Sequence, residues 1–216
     1  ARRARNPSVI NRTLRLHLQP TISEVRAAIS NASTVAVDIE TPYENHNYII
    51  IVGLAISREE AFVVPWQGEY KDVVSELLRD PSKIKIGHNF AFDCAAFRAN
   101  GVREEGGNYD TLQASALLWP PQPRSKADAK KAKATLKMKF YSLAACALRV
   151  LDGEAYWKES QNLHTRAYYS VAYPDVPEAL YEELYCALDV IHTFKLWEAE
   201  KRLLFGNKML NLFTSI

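Results

Sequence analysis

The stretch Val35–Thr41, Val-Ala-Val-Asp-Ile-Glu-Thr, contains two acidic residues within a run that is otherwise apolar and largely β-branched. Such a run favours a strand, and residues i and i+2 of a strand point to the same face of a sheet. Asp38 and Glu40 are therefore predicted to project side by side. Because burying an unpaired charge is costly, the pair indicates either solvated acids at a strand edge or a binding site for a hard cation.

The segments around this strand predict an α/β fold with a mixed central sheet flanked by helices. Two more apolar runs follow, Tyr48–Ser57 and Ala61–Trp66, and short polar turns between them predict an antiparallel meander of three strands. Beyond them, strands alternate with helices, which is typical of α/β domains. The other predicted elements are strands over 83–87 and 108–110 and helices over 21–31, 71–79, 90–100, 111–119, 142–151 and 177–204.

Composition narrows the class of protein. The chain has 216 residues, 48% of them hydrophobic and 24% charged, which predicts one globular domain over 1–216. No apolar run approaches the roughly 20 residues that span a bilayer, so no membrane partner is expected. Three scattered cysteines without a CxxC pair argue against disulfides and zinc, and favour a reducing, intracellular compartment. The start at Ala1, in a basic segment, fits a fragment or a processed form.

The net charge of +2 does not by itself indicate a polyanionic partner, but the basic residues are unevenly distributed. Residues 120–139 open with Pro-Pro-Gln-Pro and then carry seven Lys or Arg against one acid, Asp128. This composition predicts a long loop or basic arm inserted into the domain. Such an arm would contact a phosphate backbone without sequence preference, or it is simply a solvated loop.

A second acidic position follows the predicted strand at 83–87. In Gly87–Asp93, a strand-to-helix turn places Asn89 and Asp93 four residues apart, on one face of the helix. Asp93 lies among Phe90, Phe92 and other apolar residues, so it is expected to face an apolar wall. Asn89 has the alternative role of capping the helix.

A third acidic position lies on the long last helix. Tyr185 and Asp189 are again four residues apart, which places a phenol and a carboxylate on one face. Asp189 borders a core stripe that includes Leu184 and Leu188. A surface salt bridge is the alternative role for an acid at this position.

The ordered set Asp-x-Glu, Asn-x-x-x-Asp and Tyr-x-x-x-Asp resembles the DEDD superfamily of 3′–5′ exonucleases, which implies an RNase H-like fold. The superfamily's His branch has its imidazole five residues before the last Asp, where this chain has Leu184, so Tyr185 matches the Tyr branch. Asp38–Thr41 and Tyr109–Thr111 are similar to the proofreading exonuclease domain of family A DNA polymerases. RNase D-type RNA exonucleases share the same three motifs, and the basic arm is longer than family A predicts.

The resemblance implies a two-metal hydrolase that uses Mg²⁺ or Mn²⁺, the cations that carboxylate oxygens favour. Tyr185 would orient the attacking water, because a phenol with a pKa near 10 is a poor base at neutral pH. Thr41, Asn89 and Phe92 would contact the terminal nucleotides, although Phe92 could instead belong to the core. The implied metal ligands, which with Tyr185 form the catalytic set, are Asp38, Glu40, Asp93 and Asp189.

The implied substrate is single-stranded DNA or a frayed 3′ end, shortened by nucleoside monophosphates during proofreading, replication or repair. A polymerase domain in the same or another chain would then be a partner. Two alternatives stay open, an RNase D-like exonuclease acting on RNA and a non-catalytic nucleic-acid-binding module of the same fold. Intact acids at all four motif positions argue against the second.

Overall fold

A computed structural model describes residues 14–120, 140–151 and 163–206, and its centre is a six-stranded mixed sheet with the order β1-β4-β3-β2-β5-β6. Strand β2 pairs antiparallel with β3 and parallel with β5. Strand β4 continues the antiparallel meander, whereas β1 and β6 are parallel edge strands. The mixed α/β sheet that the sequence predicted is confirmed. The strands are β1 (Arg15–His17), β2 (Thr34–Glu40), β3 (Ile51–Ala55), β4 (Glu60–Pro65), β5 (Ile84–Gly87) and β6 (Asn108–Asp110).

Seven α-helices are found in the described residues, together with a 3₁₀ turn at Glu178–Leu180. Two elements were missed by the sequence analysis, the three-residue edge strand β1 and helix α6. The last helix begins at Tyr181 rather than at Pro177, because the 3₁₀ turn precedes it. The helices are α1 (Ile22–Asn31), α2 (Gly68–Arg79), α3 (Phe90–Ala99), α4 (Thr111–Leu118), α5 (Leu143–Val150), α6 (Leu163–Ala172) and α7 (Tyr181–Gly206).

The two faces of the sheet carry different cores, and β2 contributes to both with a period of two. Val35, Val37 and Ile39 pack on the face that α1, α2 and α3 cover. Ala36 packs on the opposite face, against apolar residues of α4 and α7. Asp38 and Glu40 share the parity of Ala36, so the strand geometry directs both acids toward the face of α7.

The basic segment 120–139 lies outside the described residues except for Pro120. Cys94, Cys146 and Cys186 are buried and free. None of the described helices combines the length and apolar character that a membrane crossing needs.

Glu200 of α7 has a buried carboxyl group that is hydrogen-bonded to Ser115 of α4, and this group makes the stability of the protein depend on pH. Ser115 donates its hydroxyl to Glu200 Oε1, and Oε2 has no hydrogen-bond partner among the described residues. Burial raises the pKa of Glu200 well above its usual value. The stability from its protonated form is therefore complete below the unfolded-state pKa and is lost as pH rises through the folded-state pKa.

We expect Glu200→Gln to be more stable than the parent at pH 8, by about 1–3 kcal/mol, because a neutral amide avoids the cost of a buried, poorly paired charge. The advantage should shrink as pH falls toward 5. Urea denaturation at both pH values measures it, and Glu182→Gln, an exposed position on α7, is the matched control. A Glu200→Gln advantage that does not change with pH would contradict the prediction.

Candidate active site

The acids of the first motif lie together at the carboxyl end of β2. One potential ligand atom each from Asp38, Glu40 and Cys186 lies within 4.8 Å of the others. Asp38 and Glu40 are only partly buried, so their oxygens remain accessible. The pairing of the two acids on one face follows the two-residue period of the strand.

Helix α7 reaches this site because Gly53 leaves room for it. Gly53 pairs with Asp38 across β2 and β3. A Cβ on Gly53 would stand 2.8 Å from Cys186 Sγ and 3.2 Å from the Cys186 carbonyl oxygen, closer than side chains normally pack. Sequence reasoning missed this role. The available signal was a glycine inside a bulky apolar strand, which often marks a close approach of another backbone.

Asp93 approaches β2 from helix α3 and is 3% exposed. Its Oδ1 accepts a hydrogen bond of 3.1 Å from the backbone N–H of Ile39, between the two acids of the strand. Burial, and then the charge of Asp38, raise the pKa of Asp93 well above its usual value. The prediction that Asp93 is shielded from bulk water is confirmed by its burial.

The turn that leads into α3 differs from the sequence interpretation. Asn89 has a left-handed backbone conformation, with φ +62° and ψ +41°, and its side chain makes no capping hydrogen bond. The interpretation of Asn89 as a side-chain cap is therefore wrong. The carboxylate of Asp110 accepts the N–H groups of Asn89 and Phe90 instead. Asn89 itself is exposed, beside the buried Asp93.

Asp189 and Tyr185 lie on α7, where Asp189 is buried and Tyr185 is partly exposed. Tyr169 of α6 is 2% exposed, and burial followed by the nearby charge of Asp189 raises the pKa of its phenol. Tyr169 also packs in one apolar cluster with Tyr185. The aromatic side chains of α6 therefore support the part of α7 that carries the third motif.

The thiol of Cys186 shows how the four acids surround one point. Burial raises the pKa of Cys186 well above its usual value, and the charges of four carboxylates add to this effect. Two of them, on α3 and α7, lie outside the 4.8 Å group but close enough to act on the same thiol. The four carboxylates are Asp38, Glu40, Asp189 and Asp93.

Carboxylate oxygens are the ligands that hard divalent cations prefer, and mutual repulsion of the acids favours a cation between them. Zinc favours thiolate and imidazole ligands, whereas two of the three grouped ligand atoms here belong to carboxylates. The donor set therefore fits Mg²⁺ or Mn²⁺ better than zinc.

An exposed group of aromatic rings borders the acids, and we call Tyr43, His46 and Phe92 the aromatic patch. The ring centroids of His46 and Phe92 are 5.4 Å apart, and those of Tyr43 and His46 are 6.4 Å apart. Thr41 Oγ1 lies 3.4 Å from His46 Nδ1. Phe92 is 40% exposed and Tyr43 89%, so the alternative that Phe92 belongs to the core is wrong. Sequence reasoning missed Tyr43 and His46.

A sequence profile of the 3′–5′ exonuclease family matches residues 19–203. No curated protein sequence matches the chain significantly.

Several solved structures share the fold. Brucella melitensis NrnC with bound Mg²⁺ is 18% identical with a TM-score of 0.59, covering 86% of this chain and 80% of that chain. The catalytic core of RRP6 from Trypanosoma brucei is 16% identical with a TM-score of 0.61, covering 94% and 51%. The POL domain of Pol1 from M. smegmatis, in complex with DNA primer-template and dNTP, is 17% identical with a TM-score of 0.60, covering 92% and 29%.

These likenesses, at such low identities, concern the fold, and they agree with the RNase H-like architecture that the motifs implied. The family match extends over most of the chain, from the first helix to the last, and includes all three acidic motifs. The resemblance drawn from the sequence and the match found independently thus point to one group of enzymes. This chain belongs to the 3′–5′ exonuclease family.

Proposed function

We propose that the chain removes nucleoside monophosphates from the 3′ ends of single-stranded DNA in a reaction that depends on divalent metal ions. The observation that carries this proposal is the cluster at the end of β2, where Asp38 and Glu40 place ligand atoms within 4.8 Å. Asp93 and Asp189 add their charges at the same point. An acidic cluster of this kind suits the clamping of a phosphodiester by two cations.

Each acid has a proposed role. Asp38, Glu40 and Asp189 would hold the Mg²⁺ or Mn²⁺ ion that activates the attacking water, and Asp38 and Asp93 would hold the ion that stabilises the leaving 3′ oxygen. When bound, the cations would neutralise the charge that develops on the phosphate. The hydrogen bond from Ile39 N–H to Asp93 supports this arrangement, because it ties α3 to β2 between the two acids of the strand.

Tyr185 would orient the attacking water, which assigns the chain to the Tyr branch of the superfamily. Its position one turn before Asp189 and its packing with the aromatic side chains of α6 support this role. A phenol held in this way can hydrogen-bond the water, although its ordinary pKa near 10 makes it a poor base.

The substrate end is proposed to lie along Thr41, Asn89 and Phe92, with the aromatic patch stacking on bases. Stacking is tolerant of sequence, which suits an enzyme that shortens any 3′ end.

We further propose that residues 1–216 form one domain with 120–139 as an insertion, that it works beside a polymerase domain, and that it resides in a reducing compartment, which its free cysteines support. The second candidate substrate is RNA, supported by the shared fold with the RNase D of Trypanosoma brucei.

A timed digestion of 5′-labelled single-stranded DNA and RNA of one sequence tests the proposal. With Mg²⁺ or Mn²⁺ we expect a ladder that shortens from the 3′ end, faster on DNA, and its disappearance in EDTA. Faster digestion of RNA would favour the second candidate. Digestion that persists in EDTA would overturn the two-metal site.

We expect Phe92→Ala and Tyr43→Ala each to raise the KM for a single-stranded oligonucleotide about tenfold, with a smaller change in kcat. The reason is that a lost base–aromatic contact costs about 1–3 kcal/mol. Steady-state kinetics measure the effect. Phe205→Ala is the control, because Phe205 is equally aromatic and exposed but lies at the far end of α7. Equal KM values for all three variants would exclude a stacking role for the patch.

A further inference from the structure

Asp110, at the end of β6, binds the beginnings of two helices with one carboxylate. Its Oδ1 accepts hydrogen bonds of 2.9 Å from the N–H groups of Asn89 and Leu112, and its Oδ2 accepts one of 3.0 Å from Phe90. The Asp110 side chain is buried. Unpaired N–H groups and a partial positive charge mark the first turn of a helix, so one buried carboxylate satisfies both α3 and α4.

The turn before α3 depends on this carboxylate. A left-handed conformation costs free energy for residues other than glycine, least for Asn and Asp, and Asn89 adopts it without a side-chain capping bond. The hydrogen bonds from Asn89 and Phe90 to Asp110 offset that cost. Asp110 therefore fixes the point and the direction at which α3 leaves the sheet.

Asp93 lies in the first turn of that helix, and its carboxylate is held by Ile39 N–H on the neighbouring strand. A small change in where α3 begins would move Asp93 relative to Asp38 and Glu40. Metal sites are sensitive to the groups that orient their ligands. The structure places Asp110 where it controls this geometry without belonging to the 4.8 Å cluster.

We propose that Asp110 is a positioning residue of the active site, which holds the left-handed turn at Asn89 and through it sets Asp93 for metal binding. The inference rests on the proposed metal-dependent function of Asp93. We assign Asp110 to positioning rather than to metal binding, because its two oxygens already accept hydrogen bonds from three backbone N–H groups.

The test compares Asp110→Asn with Thr21→Ala. Asn keeps the shape and one acceptor but presents an NH₂ group to a backbone N–H. Thr21→Ala removes the capping box of α1, away from the acidic cluster, and is the control for a loss of stability alone. Three measurements are made on each variant. They are thermal denaturation of the metal-free protein, Mn²⁺ affinity by calorimetry, and kcat and KM on a single-stranded oligonucleotide.

We expect Asp110→Asn to lower kcat about tenfold and Mn²⁺ affinity several-fold, with KM little changed, whereas Thr21→Ala lowers only the melting temperature. Unchanged kcat and Mn²⁺ affinity in a folded Asp110→Asn protein would overturn the inference, as would equal losses in Thr21→Ala. If Asp110→Asn does not fold, Asp110→Ser, which keeps one acceptor for α4, is measured in the same way. A parent protein that neither binds Mn²⁺ nor digests DNA would refute the proposed function instead.

Discussion

Replacing Asp38 by alanine is expected to lower the rate of Mg²⁺-dependent digestion of single-stranded DNA by about 10³-fold or more. Asp38 belongs to the acidic cluster, with a ligand atom within 4.8 Å of ligand atoms on Glu40 and Cys186. Its charge also acts on Asp93 and Cys186. Loss of a shared cation ligand removes several kcal/mol of transition-state stabilisation, and each 1.4 kcal/mol is about tenfold in rate.

The measurement is the initial rate at which a 5′-labelled oligonucleotide is shortened, with substrate binding measured separately in EDTA. Binding should be largely retained, because Asp38 contributes no positive charge to the contact with phosphate. Glu76→Gln is the control, since Glu76 lies on the surface of α2 in an ion pair with Arg26. An Asp38→Ala protein that digests as fast as Glu76→Gln would show that the acidic cluster is not the active site.

Gly53→Ala is expected to reduce the free energy of unfolding by about 1–3 kcal/mol and to lower activity at the same time. The added methyl group would lie 2.8 Å from Cys186 Sγ, 3.0 Å from Val190 Cγ1 and 3.2 Å from the Cys186 carbonyl oxygen. Both backbones are buried in the core, so the clash can be relieved only at a cost in stability. We expect α7 to shift away from β3, which would move Asp189 away from Asp38.

Urea denaturation and digestion rates measure the two effects together. Gly107→Ala is the matched control, because a methyl group there meets only Ile84 Cγ1 at 3.6 Å, an ordinary contact. Adding Cys186→Ala to Gly53→Ala removes the nearest clash and should recover part of the lost stability. If Gly53→Ala behaves like Gly107→Ala in both measurements, α7 has more freedom at this point than its packing indicates.

The sequence was most informative where a function depends on short-range periodicity. The two-residue period placed Asp38 and Glu40 on one face, and the i to i+4 spacing placed Tyr185 one turn before Asp189. Strand and helix boundaries were mostly close, since apolar runs and breakers such as Gly101 act locally. The basic segment 120–139 and the division into domains stay predictions.

The contacts that sequence reasoning could not locate act across long separations in the chain. Gly53 matters because of Cys186, and Asp110 matters because of Asn89, and neither contact leaves a periodic signal. The capping assignment of Asn89 was wrong for the same reason, since the capping carboxylate comes from a distant strand. Tyr43 lies on a loop whose position no pattern in the sequence predicts.

The order of elements along the chain has a consequence for how activity arises during folding. The acids of β2 and α3 come early, whereas Asp189 is on α7, the last described element, which packs on β2, β3 and β4. Contacts between such distant segments carry a high loop-closure cost and form slowly. Pairing of the strands can therefore precede completion of the site, so a nascent chain would remain catalytically silent until α7 docks.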